Sequence, residues 1–185
     1  MKQSSKFKVQ SSKIKETAKN IKLLILDVDG VMTDGSIILD NEGNEYKAFH
    51  VRDGHGIKML QKAGIQVAII TGRESRVVDR RAKELGIKEV YQGRRRKIET
   101  LGKIMDKFGL KESEVAYIGD YIVDIPIFKK VGLPIAVADA DDEVKEYAVM
   151  ITKNRGGRGA VREVSDFILK SNGLWDSMTR EYFEV

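Results

Sequence analysis

The sequence of 185 residues contains no cysteine. Disulfide bonds, thiolate metal sites and cysteine nucleophiles are therefore excluded, and any metal must be bound by oxygen or histidine ligands. No apolar run approaches the roughly 20 residues that a bilayer-spanning helix needs. The stretch 1–20 is polar and lysine-rich, without an apolar signal core. These features predict a cytoplasmic protein that has no membrane partner.

Aromatic residues are also scarce, at 7% of the chain, and no basic segment is interleaved with them. The net charge of +5 comes from 33 basic residues dispersed among 28 acidic ones, with the densest basic run at 94–97. Nucleic-acid surfaces usually combine a basic patch with aromatic stacking platforms. A small anionic substrate therefore explains the charge better than nucleic acid does, and a nucleic-acid-binding module is the least favoured alternative.

Short apolar runs alternate with amphipathic segments along most of the chain. The runs predict strands at 22–26, 66–70, 90–91, 115–118, 135–137 and 149–151. The amphipathic segments predict helices at 56–62, 75–85, 97–108, 123–130, 142–147 and 160–169. This alternation predicts a three-layer α/β, Rossmann-like fold with a parallel sheet. The expected organisation is an N-terminal extension over 1–20, one domain over 21–172 and a tail over 173–185.

One stretch, 36–51, breaks the alternation. Two strand-like runs flank a turn-rich segment at 40–44, which predicts a protruding β-hairpin. Ile37, Ile38 and Leu39 place apolar side chains on both faces of one arm. Because an isolated two-stranded arm is marginally stable in water, another surface must cover it.

Two carboxylates, Asp27 and Asp29, directly follow the first apolar strand. Burying such a pair is costly unless a cation or a substrate compensates the charge. Other predicted strands are followed by polar side chains, which are Thr71, Lys97, Asp120 and Asp124. Each of these alone is explained by a helix cap or a solvated charge. Because the carboxyl ends of parallel strands meet at one edge, where open α/β sheets bind ligands, the set together predicts a single site.

Phosphoryl transfer through an aspartyl phosphate is the chemistry that uses these carboxylates. Asp27 is the expected nucleophile. Asp29 is the expected acid and base, which protonates the leaving alkoxide and then activates water. Mg²⁺ suits the hard oxygen ligands that Asp27, Asp29 and Asp120 offer.

Three further side chains complete the expected site. Thr71 is expected to bind phosphate oxygens, and Lys97 to offset their charge in the transition state. Asp124 is expected to orient Lys97 or a metal-bound water. A receiver-like signalling domain, which also phosphorylates an aspartate near a threonine and a lysine, is the alternative from another class. Its motif order differs, and it has no need of Asp29 as an acid-base group.

In their order and spacing these motifs resemble those of the haloacid dehalogenase superfamily, whose phosphatases carry the second carboxylate at the position of Asp29. Only 44 residues separate Asp27 from Thr71, and 26 separate Thr71 from Lys97, so no folded cap domain fits in either gap. The first gap is filled by the hairpin instead. In this respect the chain resembles a capless branch of the superfamily, the 3-deoxy-D-manno-octulosonate 8-phosphate phosphatases. Beyond the first motif, the stretches that carry this likeness are 47–49, 51–54, 56–57, 68–73, 91–93, 131–133, 136–140 and 156–163.

The resemblance implies a Mg²⁺-dependent phosphatase acting on this eight-carbon sugar acid in lipopolysaccharide precursor synthesis. It also implies a homotetramer in which the hairpins form a shared barrel and a neighbouring subunit helps to roof each site. A nine-carbon substrate, such as N-acylneuraminate 9-phosphate, is the alternative. The implied substrate-binding residues are Asp29, His50, Val51, Arg52, Asp53, Gly54, Lys58, Arg73, Arg81 and Lys97.

The chain departs from the family's pattern at three positions. Tyr121 follows Asp120 where a second aspartate is usual, so one acidic group beside the expected metal is missing. His50 stands where the family commonly has asparagine, and His55 stands where it has tyrosine. We therefore expect an altered metal affinity and an effect on sugar specificity.

Overall fold

Six parallel strands form the central sheet of the protein, whose structure is a computed structural model that describes residues 12–184. The strands of the protein are β1 (Leu23–Leu26), β2 (Ile38–Leu39), β3 (Glu45–Tyr46), β4 (Gln66–Ile70), β5 (Glu89–Tyr91), β6 (Val115–Gly119), β7 (Leu133–Ala136) and β8 (Met150–Ile151). The sheet order is β5-β4-β1-β6-β7-β8, and β2 pairs with β3 in a separate antiparallel hairpin. All of β1 is buried, as expected for a central strand covered on both faces.

Helices cover both faces of this sheet. They are α1 (12–19), α2 (Val51–Lys62), α3 (Arg76–Leu85), α4 (Lys97–Phe108), α5 (Ile125–Phe128), α6 (Asp142–Lys145), α7 (Ala160–Ser171) and α8 (Trp175–Thr179), with 3₁₀ turns at Glu112–Glu114, Ile122–Asp124 and Arg180–Tyr182. Helix α2 packs against α3 and α7, whereas α4 packs against α5. Right-handed crossovers place these two groups on opposite faces of the sheet. The predicted three-layer α/β fold is therefore confirmed.

The hairpin is shorter than the predicted stretch 36–51. Its pairs are Ile38 with Tyr46 and Leu39 with Glu45. The second arm ends at Tyr46, and Val51 begins α2 instead of ending a strand. Ile38 and Leu39 are 48% and 59% exposed. Neighbouring residues of a strand point to opposite faces, so both faces of this arm are apolar, as the sequence predicts.

Helix α2 begins five residues before the predicted start at Gly56. Gly54 and Gly56 are poor helix formers, which is why the sequence pattern indicates a later start. Both positions need a glycine for close packing. A Cβ on Gly54 would lie 2.5 Å from the guanidinium of Arg81, and a Cβ on Gly56 would lie 2.9 Å from Ser165. Packing against α3 and α7 thus outweighs local helix propensity.

Both ends of the described chain pack onto the domain. Helix α1 buries Ala18, whose carbonyl accepts a 3.0 Å hydrogen bond from Asn172. The turn after α8 contacts α2, where the Tyr182 hydroxyl lies 3.2 Å from His55 Nε2. Residues 1–11 of the predicted extension lie outside the described residues, and the domain boundaries stay a prediction. Within residues 12–184, no helix has the length and apolar character of a bilayer span.

A glycine pair after β8 supports the loop that follows β1. Gly157 donates a 2.8 Å backbone hydrogen bond to the carbonyl of Val31, and Gly156 donates one of 2.9 Å to the Asp139 carboxylate. A Cβ on Gly156 would lie only 1.7 Å from the carbonyl oxygen of Gly30. No side chain fits there, so this close contact between backbones fixes the loop that carries the first two carboxylates.

We expect Gly156→Ala to destabilise the protein, because the added Cβ would overlap a backbone carbonyl. Overpacking of this kind costs about 1–3 kcal/mol. Gly102→Ala is the matched control: Gly102 has open space around it within α4, and alanine stabilises a helix interior by about 0.5–1 kcal/mol relative to glycine. Urea unfolding at one protein concentration compares the two variants. Equal midpoints would contradict the clash.

Candidate active site

The carboxyl ends of β1, β4 and β6 meet at one edge of the sheet. Strand β1 lies between the other two and is in parallel register with both. Asp27 directly follows β1, Thr71 directly follows β4, and Asp120 directly follows β6. The sheet register therefore brings these three predicted site residues together.

A buried lysine bridges two carboxylates at this edge. Lys97 is the first residue of α4 and is 3% exposed. Its ammonium donates hydrogen bonds to Asp27 Oδ2 at 2.6 Å, Asp124 Oδ1 at 2.7 Å and the Tyr117 hydroxyl at 3.1 Å. Burial alone would lower the pKa of Lys97, but the two carboxylates outweigh it and raise the pKa. Lys97 is therefore a fixed positive charge beside Asp27.

Asp124 is fully buried, and each of its oxygens accepts two hydrogen bonds. Besides Lys97, the Tyr117 hydroxyl donates to Oδ1 at 2.6 Å. The backbone amides of Asp120 and Tyr121 donate to Oδ2 at 3.1 and 3.4 Å. Burial and the nearby carboxylates raise the pKa of Tyr117 well above its usual value, so its hydroxyl stays protonated. These contacts favour a role for Asp124 in orienting Lys97. They disfavour a role for Asp124 as a direct metal ligand.

The predicted nucleophile, Asp27, is buried beside this lysine. Its Oδ1 accepts a 2.7 Å hydrogen bond from the amide of Val28. Burial raises the pKa of Asp27 to about 6 against the opposing effect of Lys97. A carboxyl group with this pKa is mostly ionised at pH 7, and the ionised form is the one that a nucleophilic role requires.

Asp120 has the surroundings of a cation ligand. Its Oδ1 is buried and has no hydrogen-bond partner within the part of the chain that the structure describes. Burial, together with the charges of Asp27 and Asp124, raises the pKa of Asp120 to about 8. Ligand oxygens from these three carboxylates lie within 4.8 Å of one another. A Mg²⁺ ion would satisfy the unpartnered oxygen and offset the crowded charge, so the residues present fit this metal.

Gly30 allows Asp120 to approach the loop after β1. Its φ of +86° lies in the left-handed region, and a Cβ there would lie 2.0 Å from Asp120 Oδ2. Glycine adopts this backbone conformation without steric cost and leaves the space free. The glycine that follows the two carboxylates is therefore a requirement of the cluster's geometry.

Asp29 lies apart from the three gathered carboxylates. Its Oδ1 accepts a hydrogen bond from the ammonium of Lys47, whose side chain is 1% exposed. The same ammonium lies 3.4 Å from Glu45 Oε1. The carboxylate of Asp29 is thus engaged by a lysine, and its predicted role as a metal ligand stays a prediction.

The two predicted substrate arginines already have acidic partners. Arg73 donates a 2.7 Å hydrogen bond to Glu45, and Arg81 donates one of 2.8 Å to Glu84. Arg81 also lies over the Phe49 ring, 5.5 Å from its centroid. Arg73 Nη1 and Arg81 Nε are buried without a hydrogen-bond partner among residues 12–184. Each guanidinium therefore has an N–H donor that is not paired with an acceptor of the described chain.

The other predicted substrate contacts lie at the start of α2, except Lys58, which lies further along the helix. The buried carboxylate of Asp53 accepts backbone hydrogen bonds from Gly159 at 3.3 Å and Arg162 at 2.8 Å, which secures the beginning of α7. His50 precedes α2, and its Nδ1 is buried without a hydrogen-bond partner in the described chain. The residues with exposed side chains are Val51, Arg52 and Lys58. Substrate contact by this segment, including Gly54, stays a prediction.

Sequence reasoning missed two residues of this region, Tyr117 and Lys47. Tyr117 lies in β6, where every residue is buried, and a buried tyrosine hydroxyl needs a hydrogen-bond partner. That requirement is a sequence signal for a nearby polar site. Lys47 has no comparable signal, because lysines are seldom buried and one that follows a hairpin is expected in solvent.

Known proteins resemble this chain over most of its length. The sequence profile of haloacid dehalogenase-like hydrolases matches residues 86–164. The chain is 46% identical over 166 residues to the 3-deoxy-D-manno-octulosonate 8-phosphate phosphatase KdsC of Escherichia coli (strain B / BL21-DE3), covering 90% of this chain and 88% of the relative. It is 49% identical over 164 residues to the protein of the same name from Yersinia pestis, covering 89% and 88%.

A solved structure is similar as well. The crystal structure of 3-deoxy-D-manno-octulosonate 8-phosphate phosphatase from Moraxella catarrhalis, in complex with magnesium ion, phosphate ion and KDO, matches with a TM-score of 0.90 at 44% identity. The match covers 91% of this chain and 97% of that chain. The resemblance inferred from the motifs is confirmed by this identity and coverage. The chain belongs to the haloacid dehalogenase superfamily, in the family of the 3-deoxy-D-manno-octulosonate 8-phosphate phosphatases.

Proposed function

We propose that the protein is a Mg²⁺-dependent phosphatase that hydrolyses 3-deoxy-D-manno-octulosonate 8-phosphate to the free sugar acid and phosphate. The observation that carries the proposal is the buried charge cluster formed by Asp27, Lys97, Asp120 and Asp124 at the carboxyl edge of the sheet. The names of the relatives and the ligands of the Moraxella catarrhalis structure support the substrate. We place the reaction in the cytoplasm, in lipopolysaccharide precursor synthesis.

Asp27 and Asp120 are the residues best suited to hold Mg²⁺. Asp120 has an unpartnered buried oxygen, whereas the oxygens of Asp124 are occupied by donors. Asp29 remains the third predicted ligand, through its backbone carbonyl oxygen, because its carboxylate is bound by Lys47 and is assigned to proton transfer. When bound, Mg²⁺ supplies the positive charge that lets an anionic nucleophile approach an anionic ester.

The residues divide the reaction into two steps. Asp27 attacks phosphorus, the ester P–O bond breaks, and Asp29 gives its proton to the leaving alkoxide. Asp29 then takes a proton from water, whose oxygen attacks the aspartyl phosphate and releases phosphate and the Asp27 carboxylate. Thr71 binds the phosphoryl oxygens, and Lys97 offsets their negative charge.

We assign Arg73 to the carboxylate of the sugar acid. Its bond to Glu45 supports this assignment, because a guanidinium that binds one carboxylate suits another of the same chemistry. Arg81 is packed over Phe49 and against Gly54, so it supports the wall of the site as well as offering charge. Lys58 and residues 50–54 complete the proposed substrate contacts.

We infer further that the protein is a homotetramer whose hairpins pack together. The apolar side chains of the hairpin are exposed on both of its faces: Ile37, Ile38, Leu39 and Tyr46. Exposed apolar patches mark interaction surfaces, and a lone two-stranded hairpin is marginally stable in water. Association of identical arms would bury both faces.

Turnover of a substrate panel tests the proposed function. We expect 3-deoxy-D-manno-octulosonate 8-phosphate to exceed p-nitrophenyl phosphate in kcat/KM by roughly ten- to a hundredfold, since a charge-assisted contact is worth about 1.5–3 kcal/mol. Activity should require Mg²⁺. Preference for N-acylneuraminate 9-phosphate in the same assay would contradict the assigned substrate.

Asp27→Asn tests the covalent mechanism. We expect it to reduce kcat by about 10⁴-fold or more while the protein stays folded, because an amide is a far poorer nucleophile. Asp106→Asn, which makes the same change on the exposed part of α4, should match the wild type. Rapid-quench assays with labelled substrate should detect a phosphoenzyme only when Asp27 is present.

Magnesium binding is expected to release a proton at neutral pH. The pKa of about 8 means that Asp120 of the metal-free protein is mostly protonated at pH 7, so the cation must displace that proton. The apparent affinity should rise by up to about tenfold for each pH unit from 6 to 8 and level off above pH 8. Calorimetry in buffers of different ionisation enthalpy measures the proton release. Affinity that does not change over this range would contradict the assignment of Asp120.

Leu39→Asp is expected to weaken the tetramer, because it places a charge where apolar arms meet. Asn41→Asp adds the same charge at the exposed turn of the hairpin and serves as the control. Light scattering of both variants over a range of concentrations measures the assembly. A wild-type protein that is a fully active monomer would overturn the proposed assembly.

A further inference from the structure

A buried lysine outside the predicted catalytic set joins the hairpin to the loop after β1. Lys47 follows β3, and its side chain is 1% exposed. Its ammonium donates a hydrogen bond to Asp29 Oδ1 and lies 3.4 Å from Glu45 Oε1. Lysine is almost never fully buried unless it is paired, and both partners here are carboxylates. Lys47 thus bridges the predicted acid-base residue and the hairpin.

Glu45 fixes the far side of this bridge. Its Oε1 accepts the 2.7 Å hydrogen bond from Arg73, and its Oε2 accepts a hydrogen bond from the hydroxyl of Ser75. Ser75 is buried at the start of α3, and its amide donates to Gln92 at 2.8 Å. The Ser75 hydrogen bond, with the charges of Lys47 and Arg73, lowers the pKa of Glu45, which therefore stays ionised. Lys47 is held against a carboxylate that is itself anchored.

The two oxygens of Asp29 have different surroundings. Lys47 occupies Oδ1, whereas Oδ2 makes no hydrogen bond within residues 12–184. An acid-base group has to lie within hydrogen-bond reach of the atom that gains or loses the proton. Fixing one oxygen presents the other in a constant direction.

We propose that Lys47 is a positioning residue for proton transfer, which holds Oδ1 of Asp29 so that Oδ2 gives the proton to the leaving alkoxide and later takes one from water. The proposal rests on the proposed phosphatase function and deepens it. Lys47 keeps its own protons throughout. The transferred proton moves only between Asp29, the alkoxide and water.

A purely structural role for Lys47 predicts a different pattern of activity loss across esters than a positioning role does. If Lys47 only ties the hairpin to the domain, its removal lowers the amount of folded protein and affects every ester alike. If it positions an acid, the loss is greatest for esters whose leaving group needs a proton. The basicity of the leaving group therefore separates the two roles.

The test is kcat/KM of Lys47→Met on phosphate monoesters with leaving groups of graded basicity, from p-nitrophenyl phosphate to alkyl phosphates. This parameter covers the steps up to departure of the leaving group. General acid catalysis contributes about 10²–10⁴-fold, so we expect a loss on alkyl esters roughly ten- to a hundredfold greater than on p-nitrophenyl phosphate. Lys103→Met, which makes the same change on the exposed part of α4, should match the wild type on all esters.

A double variant gives a second measurement. Asp29→Asn removes the acid, so adding Lys47→Met should leave the leaving-group dependence of that variant unchanged. Lys47→Gln retains a hydrogen-bond donor and replaces the methionine variant if the latter does not fold. Equal losses of kcat/KM on all esters would overturn the positioning role. So would a loss of kcat/KM that is as large when Lys47→Met is added to Asp29→Asn as when it is made in the wild type.

Failure of the proposed function would give a distinct result. A wild-type protein that hydrolyses simple esters but not 3-deoxy-D-manno-octulosonate 8-phosphate would overturn the proposed substrate. The same series of simple esters would still decide the role of Lys47, because none of them carries the sugar acid.

Discussion

The contact of Lys97 with two buried carboxylates, Asp27 and Asp124, is the constraint on which the site depends. Each of the three groups would be an uncompensated buried charge without the others, and such charges are strongly destabilising. Asp120 adds a third carboxylate to the same edge of the sheet. When Asp120 loses its proton, three carboxylates face one ammonium, and a divalent cation compensates this excess of negative charge.

The positions of these carboxylates could be predicted because they follow strands that have no alternative location. The apolar runs of β1, β4 and β6 have to lie inside a covered parallel sheet, and parallel pairing brings their carboxyl ends to one edge. Asp27, Thr71 and Asp120 follow those ends in the sequence. Local pattern and tertiary structure agree there, so sequence reasoning was sufficient.

The remaining contacts could not be predicted because they join residues that are distant in sequence. The early start of α2 depends on glycines that pack against α3 and α7, and local propensity alone argues against it. The pairing of Lys47 with Asp29 spans 18 residues and requires the hairpin to fold back over the loop after β1. The packing of the C-terminal turn on α2, through Tyr182 and His55, is a contact of the same kind.

The hairpin is part of the active-site framework, although it looks like a separate insertion. Glu45 on its second arm holds Lys47, Arg73 and Ser75 through one carboxylate. In protein engineering, such an arm is a natural candidate for excision or for exchange between homologues. Excision here would strip partners from three groups at once and leave a buried ammonium with Asp29 alone. Chimeric enzymes built on this scaffold therefore have to transfer the hairpin together with the strand-end loops that face it.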